Sequence, residues 1–360
     1  MRNASLFARY EWHYAIATHL VDGDSNAWFC RIANAADQPL AIVPAYTASI
    51  YLESFGQLRC LSLGWDAQLV LFDFPLAPDA SASAVGATMM QAFHAHPYPW
   101  QAICWGRAMA DSNIARIART LDKRVTSVTV GAPSNTFYTG QADAAKGLEV
   151  FRVKSKNLRY RLGLHNRRLQ ELGHVAVRTA RESGDIAGFY AEFLRIEASG
   201  WKGEAGTRTA LAFLPAQAAF FRSLLDVHTP DFETDIDLLC CGETAIAAQL
   251  VIRVAGWEYP YKIGYEESFA KHIPGQILLE KAVERAKSSP HIHRFSLILD
   301  LDWHHRWRPT VEPTVEVTIF RSVRRRLLAG LRQRASQQVR KLRARKPPAE
   351  RTAPALIAPQ

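Results

Sequence analysis

The 360-residue sequence has no run of 18 apolar residues, so no membrane-spanning helix is expected. Its opening, MRNASLFARYEWHYAIATHL, lacks both a continuous apolar core and a small-residue cleavage site, and no secretion signal is expected. Cysteine is sparse: Cys30, Cys60, Cys104, Cys240 and Cys241 form an odd set with no C-x-x-C pair. The first three sit among apolar residues, as buried thiols do. Adjacent Cys240 and Cys241 point to opposite faces of a strand, which suits neither a disulfide nor a shared metal. A reducing cytoplasm and no metal site are therefore expected. Acid is scarce at one end. Residues 321–360 hold 12 Lys and Arg against one acid, Glu350, a net of +11 that leaves the first 320 residues at −1 of the whole-chain +10. The basicity is an appendage rather than a DNA-binding core. The first 150 residues contain no glycine-rich phosphate loop.

What is present is a body able to fold as two domains or as one unit of two similar halves, with 48% of its residues hydrophobic. Residues 28–32 and 40–46 read as strands around a turn at Asp37-Gln38-Pro39. Residues 85–94 and 114–121 read as helices, 102–105 as a buried strand, and 125–130 and 136–138 as two more strands. Ser155 opens a helix over 156–172 closed by Gly173, with Leu158, Leu162, His165, Leu169 and Leu172 as its inner stripe. Lys156, Arg159, Arg161, Arg167 and Arg168 make the rest of that helix basic. Strands are expected at 174–180, 236–241, 245–254 and 295–299, and helices at 186–199 and 214–227. The mixture predicts an α/β fold with a mixed sheet.

Trp257 to Lys287 organises the chain. Trp257, Tyr259, Tyr261 and Ile263 recur at a period of two and predict a strand with one aromatic face. A polar loop follows, then Pro274-Gly275, then a helix whose stripe is Leu278, Leu279, Ala282, Val283 and Ala286. Free amides and the positive dipole end at a helix start favour a phosphate, and glycine there permits close approach. Pro-Gly before a helix is also an ordinary start signal.

Ile196-Glu197-Ala198-Ser199-Gly200-Trp201-Lys202-Gly203 and Gly206-Thr207, then Lys262-Ile263-Gly264-Tyr265-Glu266-Glu267, Pro274-Gly275-Gln276-Ile277-Leu278, Asp300 and Trp307, resemble the CelD/BcsL-type acetyltransferases. These are members of the GNAT superfamily linked to cellulose and exopolysaccharide synthesis. The resemblance covers roughly residues 150–320, with a fainter echo before it. Two departures are Glu266, where Asp is commoner, and Ile273, where Ser precedes the Pro-Gly. The resemblance implies two GNAT-like halves packed together, residues 1–150 and 151–320, with the second binding acyl-coenzyme A. Pro274, Gly275, Gln276 and Ile277 would hold the pyrophosphate. Two strands would splay to admit the pantetheine arm, bringing Lys262, Tyr265, Glu266, Glu267, Asp300 and Asp302 together. Glu266 is the expected base and Tyr265 the acid, with Asp300 a comparable candidate, since acyl transfer needs both functions. Lys202, on a glycine-flanked loop suited to movement, is expected to touch substrate or cofactor. Adjacent His304 and His305 rarely share one ion, so no metal is expected there.

The implied function is acyl transfer to a sugar or polysaccharide precursor. Two alternatives are a Fem-type aminoacyl-tRNA-dependent peptidyltransferase and a non-catalytic GNAT scaffold of a membrane synthase complex. The tail predicts a thin amphipathic basic helix over 321–346, suited to an anionic membrane surface or a partner, and then a disordered Pro/Ala-rich segment over 347–360.

Overall fold

A computed structural model describes residues 5–21, 27–52, 56–64, 66, 69–138, 155–204, 206–328 and 331. In chain order the elements are α1 (Tyr10–His19), β1 (Ala27–Ala33), β2 (Pro39–Leu52), β3 (Gly56–Ser62), α2 (Ala82–Ala95), β4 (Ala102–Met109), α3 (Asn113–Ala118) and β5 (Thr126–Tyr138). There follow α4 (Lys156–Leu172), β6 (Val175–Thr179), α5 (Ala180–Ser183), α6 (Ile186–Glu197), α7 (Pro215–Leu225), β7 (His228–Thr229), β8 (Phe232–Cys241) and β9 (Thr244–Val254). The last are β10 (Trp257–Tyr265), α8 (Pro274–Ser288), β11 (Arg294–Ser296) and β12 (Thr310–Phe320). The fold is mixed α/β, as the element pattern predicts.

The strands form one 12-stranded sheet in the order β1-β2-β3-β4-β12-β5-β11-β10-β9-β8-β6, with β7 on β8. The two parallel contacts are β3 with β4 and β10 with β11, each spanned by one helix, α2 and α8. Each half thus repeats one strand-helix-strand unit, and the halves exchange their last strands. β12 lies between β4 and β5, while the end of β5 pairs with β11. The N-terminal segment adds a second tie. Trp12 of α1 meets Phe220 of α7 edge-on at 5.0 Å and Tyr261 at 5.3 Å, and Phe7 meets Tyr259 at 5.9 Å.

Several sequence expectations need correction. Residues 125–130 and 136–138 are not two strands but parts of the continuous β5, whose length lets it bridge the halves. The strand expected at 295–299 ends at Ser296; Ile298 is left-handed (φ 64°) and turns the chain away. Leu172 is not part of the inner stripe of α4 but 63% exposed, since the helix ends there at Gly173. The period of two also fails beyond Tyr259. Pro260 pairs with Val251 but Lys262 with Leu250, so Tyr261 sits in a bulge. Trp257, Tyr259 and Tyr261 consequently face the core beneath α6 and α7, while Ile263 faces the one beneath α4 and α8. α1, β3, α5, β7 and β12 had no expectation. Of the basic tail, residues 323–328 are helical with Leu327 and Leu328 exposed; positions 332–360, including most of the expected 321–346 helix and all of 347–360, lie outside the described residues. Among the described residues no helix is long and apolar enough to cross a membrane.

α8 is fixed at its far end by charge. Arg285 donates to Asp237 Oδ2 at 2.7 Å and to Glu258 Oε1 at 3.2 Å, and Arg253 donates to Glu258 Oε2 at 2.9 Å. Both acids are buried in the sheet, so removing a cation would strand buried charge. Arg285→Leu is expected to lower stability by about 3–5 kcal/mol, read as a fall in the denaturant midpoint. Wild-type stability in that variant would show that Arg253 alone satisfies both acids.

Candidate functional site

Parallel pairing of β10 with β11 stops after Trp257–Arg294 and Glu258–Phe295. From there β10 runs on to Tyr265 while β11 ends at Ser296, so the two strands part. The bulge at Tyr261 lies just beyond the parting, where it re-aims every later side chain of β10. In the gap opens a cleft of about 490 Å³. Its walls are Glu197 and the loop Gly200–Lys202, Ile263 to Tyr265 of β10, Ile273 to Gln276 at the start of α8, and Leu301 with Trp303.

The start of α8 is unusual. Ile273, its N-cap, is left-handed (φ 50°, ψ 43°) and supplies no side-chain cap. For a β-branched residue this conformation costs roughly 1–3 kcal/mol, a cost typical of binding sites. Pro274 brings no amide hydrogen, and the amides of Gln276 and Ile277 both donate to Ile273 O, at 3.0 and 3.2 Å. Gly275 N–H has no partner among the described residues. A Cβ added to Gly275 would enter the cleft 3.5 Å from Tyr265 Cδ1 and 3.8 Å from Ile263 Cδ1, ordinary contact distances. Gln276 Oε1 is buried without a hydrogen bond. The equivalent helix of the first half, α2, is instead closed by Ser81, which accepts from Ala84 N at 3.4 Å.

The structure brings Lys202, Tyr265, Pro274, Gly275 and Gln276 to one cleft. Ile277 is buried beneath it in the core. Glu266 does not line the cleft. It accepts from Ser199 Oγ and Arg195 Nη1, each at 2.6 Å, and these contacts hold its carboxyl below the usual range, which weakens it as a base. Ser199 Oγ in turn accepts from Glu267 N at 3.0 Å, so Glu266 latches the loop after α6 to the end of β10. Asp300 also points elsewhere. It accepts from Asn135 Nδ2 at 2.8 Å and lies 3.2 Å from His305 Nε2, beside a His304 that burial pushes down to about 4.

One residue without a sequence-derived role stands out. Glu197, last in α6, has a side chain only 1% exposed, yet it faces the cleft. It accepts from Lys202 Nζ at 3.1 Å and from Leu211 N at 2.7 Å. Tyr190, Phe193 and Glu197 are all buried at i, i+3, i+7 spacing, so an acid on an apolar helical stripe was a visible signal. Lys262, on the same side of β10, has its ammonium pushed down to about 8 by burial and then by Lys202, against Glu197 and Asp66. The loop carrying Lys202 is compact. Gly203 N donates to Gly200 O at 2.8 Å, Thr207 N to Trp201 O at 2.8 Å and Ala210 N to Lys202 O at 3.1 Å. Trp201, 64% exposed, stands at the mouth. A larger cavity of about 910 Å³ surrounds Trp257, Arg294 and Asp73. It opens at the other end of β10, some eight residues or about 26 Å away, too far to share the cleft's chemistry.

Residues 156–306 match a family model described as an acetyltransferase (GNAT) domain. This is the stretch that contains the cleft. Among solved structures the chain is similar to FemX, at 11% identity over 88% of this chain and 92% of that one, with a TM-score of 0.51. It is also similar to a conserved protein of unknown function from Bacteroides thetaiotaomicron (10% identity, 86% and 88% covered, TM-score 0.49). A third is a tandem GNAT protein from the clavulanic acid biosynthesis pathway (7%, 88% and 91%, TM-score 0.43). No curated protein matches. The match to a GNAT acetyltransferase domain therefore falls on residues 156–306, and the whole chain shares its mixed α/β fold with FemX.

Because the added Cβ meets only ordinary contacts, Gly275→Ala is expected to fold normally while occupying the space in front of the free amide. Calorimetric titration of acetyl-coenzyme A should show at least about a tenfold loss of affinity, the equivalent of roughly 1.4 kcal/mol, and Gly275→Val a larger one. Wild-type affinity in both folded variants would place the phosphate elsewhere.

Proposed function

We propose that the protein is an acyl-coenzyme A-dependent N- or O-acyltransferase whose donor enters between β10 and β11 with its phosphates toward the start of α8. The observation that carries this reading is the cleft itself, an uncapped helix start and a parted strand pair within one GNAT domain. The residues fit the donor: a free amide at Gly275 and space that a Cβ would fill. Bound acyl-coenzyme A supplies an activated thioester.

The chain's own groups handle the acceptor. Attack by an amine or hydroxyl requires removal of one proton, and departure of the thiolate requires one to be given. We assign proton acceptance to Glu197 rather than Glu266, because Glu197 lines the cleft and Glu266 does not. Lys202 holds the Glu197 carboxylate in place, and the Tyr265 hydroxyl is the proton donor on the donor side. Lys262 adds positive charge near the reacting centre, where low dielectric strengthens it. A sugar or polysaccharide precursor as acceptor rests on the resemblance to the CelD/BcsL-type enzymes, and exposed Trp201 at the cleft mouth offers a platform that would suit a sugar ring. Aminoacyl-tRNA-dependent peptidyl transfer is the second reading, supported by the basic exposed faces of α4.

Thiol release from acetyl-coenzyme A, assayed against amino sugars and sugar nucleotides, tests the proposal, and acceptor-dependent release is expected. Glu197→Gln should lower turnover roughly 10²-fold with donor affinity retained, and Glu266→Gln much less. Lys262 is cationic below its pKa of about 8, so activity that depends on that charge should decline as pH rises through 8. Lys262→Arg should move the decline to higher pH. Full activity in Glu197→Gln would remove that residue from the chemistry.

A further inference from the structure

A cluster of positive charge lies behind the start of α8, and acyl transfer as described above does not use it. Arg161, His165 and Arg168 share one face of α4 at i, i+4, i+7 spacing. α4 packs against the short helix Glu267–His272 that leads into α8. The His165 and His272 rings stand 6.2 Å apart at 78°. Nδ1 of each is buried with no hydrogen bond, as is Oε1 of Gln276 one turn further on. Burial, then Arg168, Arg161 and His272, push the pKa of His165 down; burial, then Lys271 and Arg168, do the same to His272. No carboxylate contributes to either shift.

Like charges gathered with no counter-ion among the described residues, beside buried nitrogens without partners there, oppose folding on both counts. An anion would relieve both. The start of α8 meanwhile offers one free amide, at Gly275, because those of Gln276 and Ile277 are bound to Ile273 O. One amide is a thin hold for a group with several negative charges, and His272 lies two residues before Pro274.

We propose that Arg161, His165 and Arg168 of α4, with Lys271 and His272, form a phosphate-binding site that holds the nucleotide end of the acyl donor. This rests on the acyl-coenzyme A reading and deepens it: the donor is gripped from two sides of the Glu267–His272 helix, by the α8 start and by the α4 face. The site discriminates a nucleotide-bearing thioester from a bare pantetheine thioester.

The test compares coenzyme A affinity by calorimetry, and turnover of acetyl-pantetheine, in the wild type and in Arg161→Gln/Arg168→Gln. Coenzyme A affinity should fall at least about tenfold, because two charged hydrogen-bond donors are removed. Turnover of acetyl-pantetheine should be unchanged, and Arg161→Lys/Arg168→Lys should recover most of the affinity. Unchanged coenzyme A affinity, or an equal loss with acetyl-pantetheine, overturns the inference. Loss of tRNA binding with coenzyme A affinity intact also overturns it, in favour of a macromolecular polyanion. A wild type that binds coenzyme A in no measurable amount overturns the acyl-coenzyme A reading itself, and the inference with it.

Discussion

The cleft exists because β10 and β11 part after two paired residues. Two residues of parallel pairing are enough to keep the strands in one sheet, and too few to close the gap beyond them. The gap persists because each strand is turned away by its own backbone. Tyr261 bulges on β10, and left-handed Ile298 ends β11. Ile273, also left-handed, then starts α8 at the gap's edge. Such conformations survive only where packing over-determines them. Here the packing is the buried Arg285–Asp237–Glu258 network and the apolar stripe of α8, both of which fix the helix from behind and leave its front turn open.

The first half shows what the same topology does without that opening. Its parallel pair, β3 and β4, is joined by a helix whose first turn is capped by Ser81. Phe72 packs so near Gly106 of β4 that an added Cβ would lie 2.7 Å from its ring. One half is thus closed by a cap and an aromatic ring, while the other keeps a free amide and a cleft. The exchange of β5 and β12 makes the halves one sheet.

Local pattern revealed much of this. The helix from Ser155 to Gly173, the hairpin of β8 and β9, and the Pro-Gly start of α8 all follow from caps, turns and periodicity that involve near neighbours in sequence. The bulge at Tyr261 did not, since it depends on register with β9 and leaves the aromatic alternation looking regular. Nor did the insertion of β12, which is decided by pairing across some 200 residues. In the site, Lys202, Tyr265, Pro274, Gly275 and Gln276 were legible because the motif spacing places them at element ends. Glu266 and Asp300 were legible as acids but not as to direction, which their partners Arg195, Ser199 and Asn135 decide. Glu197 shows in the sequence as an acid on the apolar stripe of α6, but nothing local says that the stripe ends at the cleft.

If the gap between β10 and β11 receives the acyl donor, binding must register there rather than at the other openings among the described residues. Hydrogen exchange of the intact protein with and without acetyl-coenzyme A tests it most directly. New protection is expected over Ile263–Tyr265 and Ile273–Ile277, with β1 to β3 unchanged. Protection confined to the cavity around Trp257 and Asp73, or none at the start of α8, would contradict it.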